Sequence, residues 1–187
     1  MIKANNTNAV ANNDDPEPDS PVSALTIDIC VNDTHWQPLV EGLRAHAVFV
    51  WQYLALPASE LSLVLDSDRA VQQLNRDYRD KDKPTNVLSF PAFDFQQPAM
   101  ADDFPPPPVL LGDIVMAYET LNREAETGGV ALADHALHLL THGMLHLLGH
   151  DHEGELEATR MEHIEVEILG RCGIASPYAT HAQGDVS

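Results

Sequence analysis

Between positions 25 and 31 the chain runs Leu-Thr-Ile-Asp-Ile-Cys-Val, partly alternating and rich in β-branched residues, which predicts a first strand. The period then lengthens. Trp36, Leu39, Val40, Leu43, Ala47, Val50 and Leu54 recur three and four residues apart, predicting a helix over residues 35–56 with Asp33 or Thr34 as its cap. A second strand follows at 61–65, and Asp66-Ser67-Asp68 offers a cap for a short helix through Val71, Leu74 and Tyr78. A charged turn leads into a third strand at 86–90. Residues 94–108 end in four consecutive prolines, which cannot join a ladder, and predict a loop. A fourth strand spans 109–118. The rest is helical: 120–126, broken by Gly128-Gly129; 134–148, capped by Asp134 and stopped by Gly149; and 154–169, followed by Gly170 and Gly173. Strands interleaved with helices, then helices alone, predict an α+β fold of α/β-like order, a small mixed four-stranded sheet packed with about five helices.

Residues 1–23 are polar, acidic and proline-punctuated, and read as a disordered acidic tail. Residues 24–178 make the single expected domain and 179–187 a C-terminal tail; at 44% hydrophobic content in 187 residues there is enough to bury a core. No run approaches the roughly 18 apolar residues of a membrane helix, and the N-terminus lacks a signal peptide's apolar region, so a cytoplasmic protein is expected. Cys30 and Cys172 are too few for a disulfide framework and are expected to be small buried hydrophobes or bystanders. The net charge of −19 opposes extended contact with a polyanion and fits solubility or a salty cytoplasm. Any nucleic-acid role therefore has to rest on a local site.

Such a site is suggested by the histidines, of which six of ten fall between His135 and His152. His142 and His146 lie four apart on the predicted helix, so both imidazoles face the same way. Gly149 ends that helix and lets the chain reverse, which brings His152 within reach as a third ligand. Three protein ligands at a helix C-terminal turn leave one tetrahedral position of a zinc ion open, the arrangement of a catalytic rather than a structural zinc. His138, one turn before His142, is open to reading as a ligand, a partner behind a ligand, or a packed neighbour. His135 reads as a satisfied helix histidine and His150 as solvent-facing. Gly143 occupies the place where zinc peptidases of the HExxH type carry their glutamate, which weakens a peptidase reading without removing the metal.

Three segments together resemble the YbeY family: Leu74-Asn75-Arg76-Asp77-Tyr78-Arg79-Asp80-Lys81-Asp82-Lys83-Pro84-Thr85-Asn86-Val87-Leu88-Ser89-Phe90-Pro91; Leu111-Gly112-Asp113-Ile114; and the histidine motif followed by Met161, Glu162, Glu165 and Ile168. The likeness covers most of residues 24–178 and leaves out the acidic tail and the proline-rich loop. It implies a single-strand-specific endoribonuclease acting in ribosomal RNA processing, especially near the 3′ end of 16S rRNA, and in ribosome quality control, with RNA and the ribosome or its proteins as partners. It also implies one zinc ion on His142, His146 and His152, and an essential arginine at Arg79. His150 departs from the family, many members of which have tyrosine before the Asp-His pair.

The chemistry is reasonable in its own right, since phosphodiester cleavage builds negative charge that a guanidinium grips in two places. Arg76, Arg79, Lys81 and Lys83 are four of the ten basic residues, a local relief in an acidic chain. Asp151 is open to orienting a ligand histidine or capping the last helix, and Asp113 to a structural role or to lining the cleft. Two rival readings are a non-catalytic, zinc-stabilised ribosome-assembly factor and a metallopeptidase.

Overall fold

Strand β1, Leu25–Val31, alternates half-buried and exposed positions along its length, as a strand with one covered face must. In the computed structural model, which describes residues 24–93, 108–150 and 154–178, it is the edge of a four-stranded sheet ordered β1-β2-β4-β3. β2 is Ser59–Asp66, β3 Val87–Pro91 and β4 Val109–Ala117. β1, β2 and β4 run parallel, and β3 closes the far edge antiparallel to β4. The mixed sheet and α+β architecture agree with the periodicity. The expected tails, residues 94–107 of the expected proline-rich loop and residues 151–153 lie outside the described residues.

The helix expected over 35–56 is two elements. Thr34–Leu39 is a 3-10 helix containing Pro38, and α1 is Val40–Tyr53. Proline has no N–H to give an α-helical ladder, so the first turns wind more tightly before the α-helix starts. Asp33 caps the 3-10 segment by accepting from the His35 N–H. Ala55 turns into the left-handed region at φ 51°, which stops the helix short of residue 56. α2 is Asp68–Arg79, α3 Tyr118–Gly128, α4 Leu132–Leu147 and α5 Glu155–Arg171. Asp134 does not cap α4: the N-cap is Ala131, and Asp134 sits inside the first turn, where its charge suits the positive end of the helix.

The strand alternation divides the core in two. Leu61, Leu63, Leu65, Ile114 and Met116 face α1, α3, α4 and α5, packing against Trp36, Leu43, Leu121, Leu140, Met144 and Ile168. On the other face Val115, Ala117 and Leu88 meet Val71 of α2. Each fully buried Leu or Ile stabilises the fold by about 1.5–3 kcal/mol, so the larger cluster firmly seats the helix that bears the histidines. Cys30 and Cys172 are both exposed thiols rather than buried fillers. Among the described residues no helix is long and apolar enough to cross a membrane.

Candidate active site

α4 buries Ala136, Leu139, Leu140, Gly143, Met144 and Leu147 along one stripe. At Gly143 the helix comes so close to the sheet that a Cβ would lie 3.1 Å from Ser89 Oγ and 3.2 Å from Ile114 Cδ1. That contact leaves no room for a carboxylate side chain after His142, which removes the general base a peptidase of the HExxH type needs. His142 and His146 lie on the neighbouring, half-buried face.

Their Nε2 atoms are 3.0 Å apart. Two zinc–nitrogen bonds of about 2.05 Å at a tetrahedral angle would put the nitrogens about 3.3 Å apart, so the pair fits one ion with a shift of a few tenths of an ångström. Behind it, α5 supplies Glu165, whose Oε1 accepts from His142 Nδ1 at 2.7 Å. With Nδ1 as the donor, the Nε2 lone pair of His142 is turned towards His146, the tautomer a metal ligand requires. Glu165 is fully buried, and its Oε2 faces His138 Nε2 at 3.3 Å and accepts from the Tyr178 hydroxyl. Burial alone would raise the pKa of this carboxyl, but the hydrogen bonds from His138, His142 and Tyr178 outweigh it and hold the group at about 2. Burial and the bond to Glu165 push the Tyr178 phenol upward.

Among the described residues no set of three His, Cys, Asp or Glu side chains converges on one point. His152, the expected third ligand, and Asp151 lie outside those residues. Gly149 does turn left-handed after the helix, at φ 82°, as a chain reversal there demands. His138 stands beside Glu165 rather than beside the Nε2 pair, which makes it a neighbour of the supporting carboxylate.

Arg79 reaches the site from the sheet's other side. It is the last residue of α2, and Asp80 leaves the helix in the left-handed region at φ 55°. Its Nη2 donates to the Ser89 carbonyl at 3.3 Å, on strand β3 at the sheet edge. The hydroxyl of the same serine donates to the Gly143 carbonyl at 3.1 Å. Ser89 thus ties the arginine to the turn of α4 that holds His142. Asp113 is exposed and, by strand alternation from Ile114, lies on the sheet face away from α4, so it does not line the histidine side.

The remaining histidines have their own surroundings. His135 Nε2 is 3.0 Å from Glu124, the satisfied helix histidine expected. His150 is half-buried beside Leu54, Leu56, Leu111 and Leu148 rather than facing solvent, and burial lowers its pKa. His46, on α1, is buried with its Nε2 2.8 Å from Thr141 Oγ1. No local pattern assigns a role to Glu165 or Ser89. Each lies far along the chain from His142, so helix spacing cannot pair them, and only their place in the segments that resemble the YbeY family marks them.

A Thermotoga maritima protein known from its solution structure shares the fold, with a TM-score of 0.53 at 20% identity, covering 87% of this chain and all of that one. The sequence model of the family described as Endoribonuclease YbeY matches residues 29–173. A Rhodospirillum rubrum protein named Endoribonuclease YbeY is 51% identical over 156 residues, which are 77% of this chain and 76% of that relative. One of the same name from Erythrobacter litoralis is 45% identical over 147 residues, covering 78% of this chain and 91% of the relative. With the histidine pair, the buried carboxylate and the arginine held within one such fold, the chain belongs to the endoribonuclease YbeY family.

Proposed function

We propose that this protein is a zinc-dependent endoribonuclease that cuts single-stranded RNA and acts in the maturation of ribosomal RNA, including the 3′ end of 16S rRNA, and in ribosome quality control. Family membership supports the RNA chemistry. The observation that carries the metal is the pair of converging Nε2 atoms at 3.0 Å, with a buried carboxylate fixing one ring from behind. His142, His146 and His152 would hold the ion. When bound, zinc supplies a Lewis acid that polarises a phosphoryl oxygen and lowers the pKa of water.

The protein's own groups divide the remaining work. Glu165 fixes the ring orientation and tautomer of His142, so the imidazole is ordered before the ion arrives. Arg79 spends one N–H on the Ser89 carbonyl, and a guanidinium has five donors. The others are available to phosphate oxygens as charge builds on them. The small local excess of positive charge around Arg79 offsets, at this one place, the field of a chain with net charge −19.

The deciding experiment measures metal content and RNA cleavage together, for the wild type and His142→Ala. One zinc per chain with cutting of unpaired RNA is expected in the wild type, and loss of both in the variant. Undiminished cutting by chelator-treated, zinc-free protein would overturn the reading.

A further inference from the structure

Tyr78 is an aromatic side chain with 70% of its surface in water. The other exposed large hydrophobics among the described residues, Leu110, Val130 and Leu156, are aliphatic. Leaving a ring exposed forgoes its burial energy, and nothing in the packing of α2 requires it: the helix buries Val71 and Asn75 instead. The ring is nonetheless held in place. Phe90 of β3 meets it edge-on, with centroids 5.4 Å apart and planes at 68°. Phe90 is itself packed against the Val71, Leu88 and Val115 cluster. Tyr78 is therefore an ordered ring supported from one side rather than a loose surface chain.

Its position connects it to the site. Tyr78 immediately precedes Arg79, whose guanidinium donates to Ser89, and Ser89 immediately precedes Phe90. The arginine and the aromatic pair thus meet across the same two elements, at the end of α2 and the outer strand of the sheet. Charge points the same way. Of the four cations in this segment, Arg76 pairs with Asp77 at 3.3 Å, whereas among the described residues no carboxylate lies within 4.0 Å of the charged ends of Arg79, Lys81 or Lys83. Asp82 takes its hydrogen bond from Gln72, at 2.9 Å, rather than from one of these cations. An exposed, braced ring next to uncommitted cations, on a protein otherwise strongly acidic, matches what a single strand of nucleic acid needs: phosphates on the cations and a base on the ring.

We propose that Tyr78, braced by Phe90, is a stacking platform for one unpaired nucleobase of the RNA whose phosphate Arg79 grips. The inference rests on the reading of this site as the RNA-cleaving centre. Stacking accepts any base, so the platform imposes little sequence preference, but it requires a base that is out of a duplex. It thereby gives the enzyme a physical means of choosing single strands.

The test uses the full-length, metal-loaded protein and a fluorescent single-stranded RNA, in which one base at a time around the cleaved position is replaced by an abasic nucleotide. Wild-type protein should lose about tenfold in affinity at one position, the scale of one stacked base. Tyr78→Ala should bind the unmodified RNA about tenfold more weakly, with unchanged zinc content and melting temperature, and should no longer respond to the abasic nucleotide at that position. Tyr78→Trp should keep both the affinity and the response. Equal binding by wild type and Tyr78→Ala, or a wild type indifferent to every abasic position, overturns the platform while leaving the nuclease reading intact. A wild type that neither binds nor cuts RNA overturns both.

Discussion

Glu165 and His142 are joined across two helices by a 2.7 Å hydrogen bond from the imidazole Nδ1 to a carboxylate that no solvent reaches. A buried carboxylate is costly unless its lone pairs are used, and here His138 and Tyr178 use the second oxygen. The arrangement directs the opposite nitrogen of His142 towards His146, and so bears on how well the pair holds an ion before it bears on anything else.

Replacing that carboxylate with the amide in Glu165→Gln keeps the volume and removes the charge. Zinc affinity, measured by competition against a chromophoric chelator, should fall about 10- to 100-fold, the usual consequence of losing a partner behind a ligand histidine. Wild-type affinity in Glu165→Gln would mean that His142 is oriented by something else.

Arg79 is exposed at the end of α2, and among the described residues its one hydrogen bond is to a backbone carbonyl at the sheet edge. Arg79→Ala should leave zinc content and melting temperature almost unchanged and lower kcat for RNA cleavage by about 100- to 1000-fold, the range for removing one donor to a developing charge. Arg79→Lys should recover little of it, because an ammonium cannot make the bidentate contact. Full activity in Arg79→Ala would remove the residue from the mechanism.

The strands, the helix stop at Gly149 and the placement of His142 beside His146 were legible in the sequence because each is local: alternation, a left-handed glycine and an i, i+4 spacing suffice. The split of the first helix at Pro38 was legible in principle, but the apolar period runs on through Trp36 and Leu39 and masks it. What local pattern could not give is pairing over distance. Glu165 lies 23 residues from His142, and the Ser89 hydroxyl meets a carbonyl 54 residues away. Those contacts exist only once α4 and α5 lie over the sheet. The half-buried place of His150 is hidden from local pattern for the same reason, since its apolar neighbours Leu54, Leu56 and Leu111 come from distant parts of the chain.

The tight seat of α4 on the sheet can be weighed directly. Gly143→Ala gains about 1 kcal/mol of helix propensity, yet its methyl would stand 3.2–3.3 Å from Ile114 carbons and 3.1 Å from Ser89 Oγ. Overpacking of this kind costs about 1–3 kcal/mol, so a net loss of stability is expected in denaturant unfolding. In an Ile114→Val background, which removes the δ-methyl but leaves the γ2-methyl and the Ser89 hydroxyl in place, the same substitution should cost measurably less. Equal effects in the two backgrounds would show that Ile114 does not set the close approach.

His46 gives a pH dependence of stability. Burial of its ring lowers the pKa from 6.5 to about 4, despite a hydrogen bond to the Leu137 carbonyl that works the other way. The unfolded chain therefore binds a proton at this residue, and the native protein does not, throughout the window between those values. Stability must fall as the pH is lowered from about 6.5 and level off below about 4, by up to about 3 kcal/mol for a shift of this size. In His46→Gln the amide can still bond to Thr141 and carries no titrating group. Urea unfolding of both proteins across that range, with chelator present so that release of an ion does not contribute, should show the wild type losing stability more steeply. Parallel curves would mean that the His46 ring already accepts a proton in the folded protein, and that its contact with Thr141 does not depend on the neutral form.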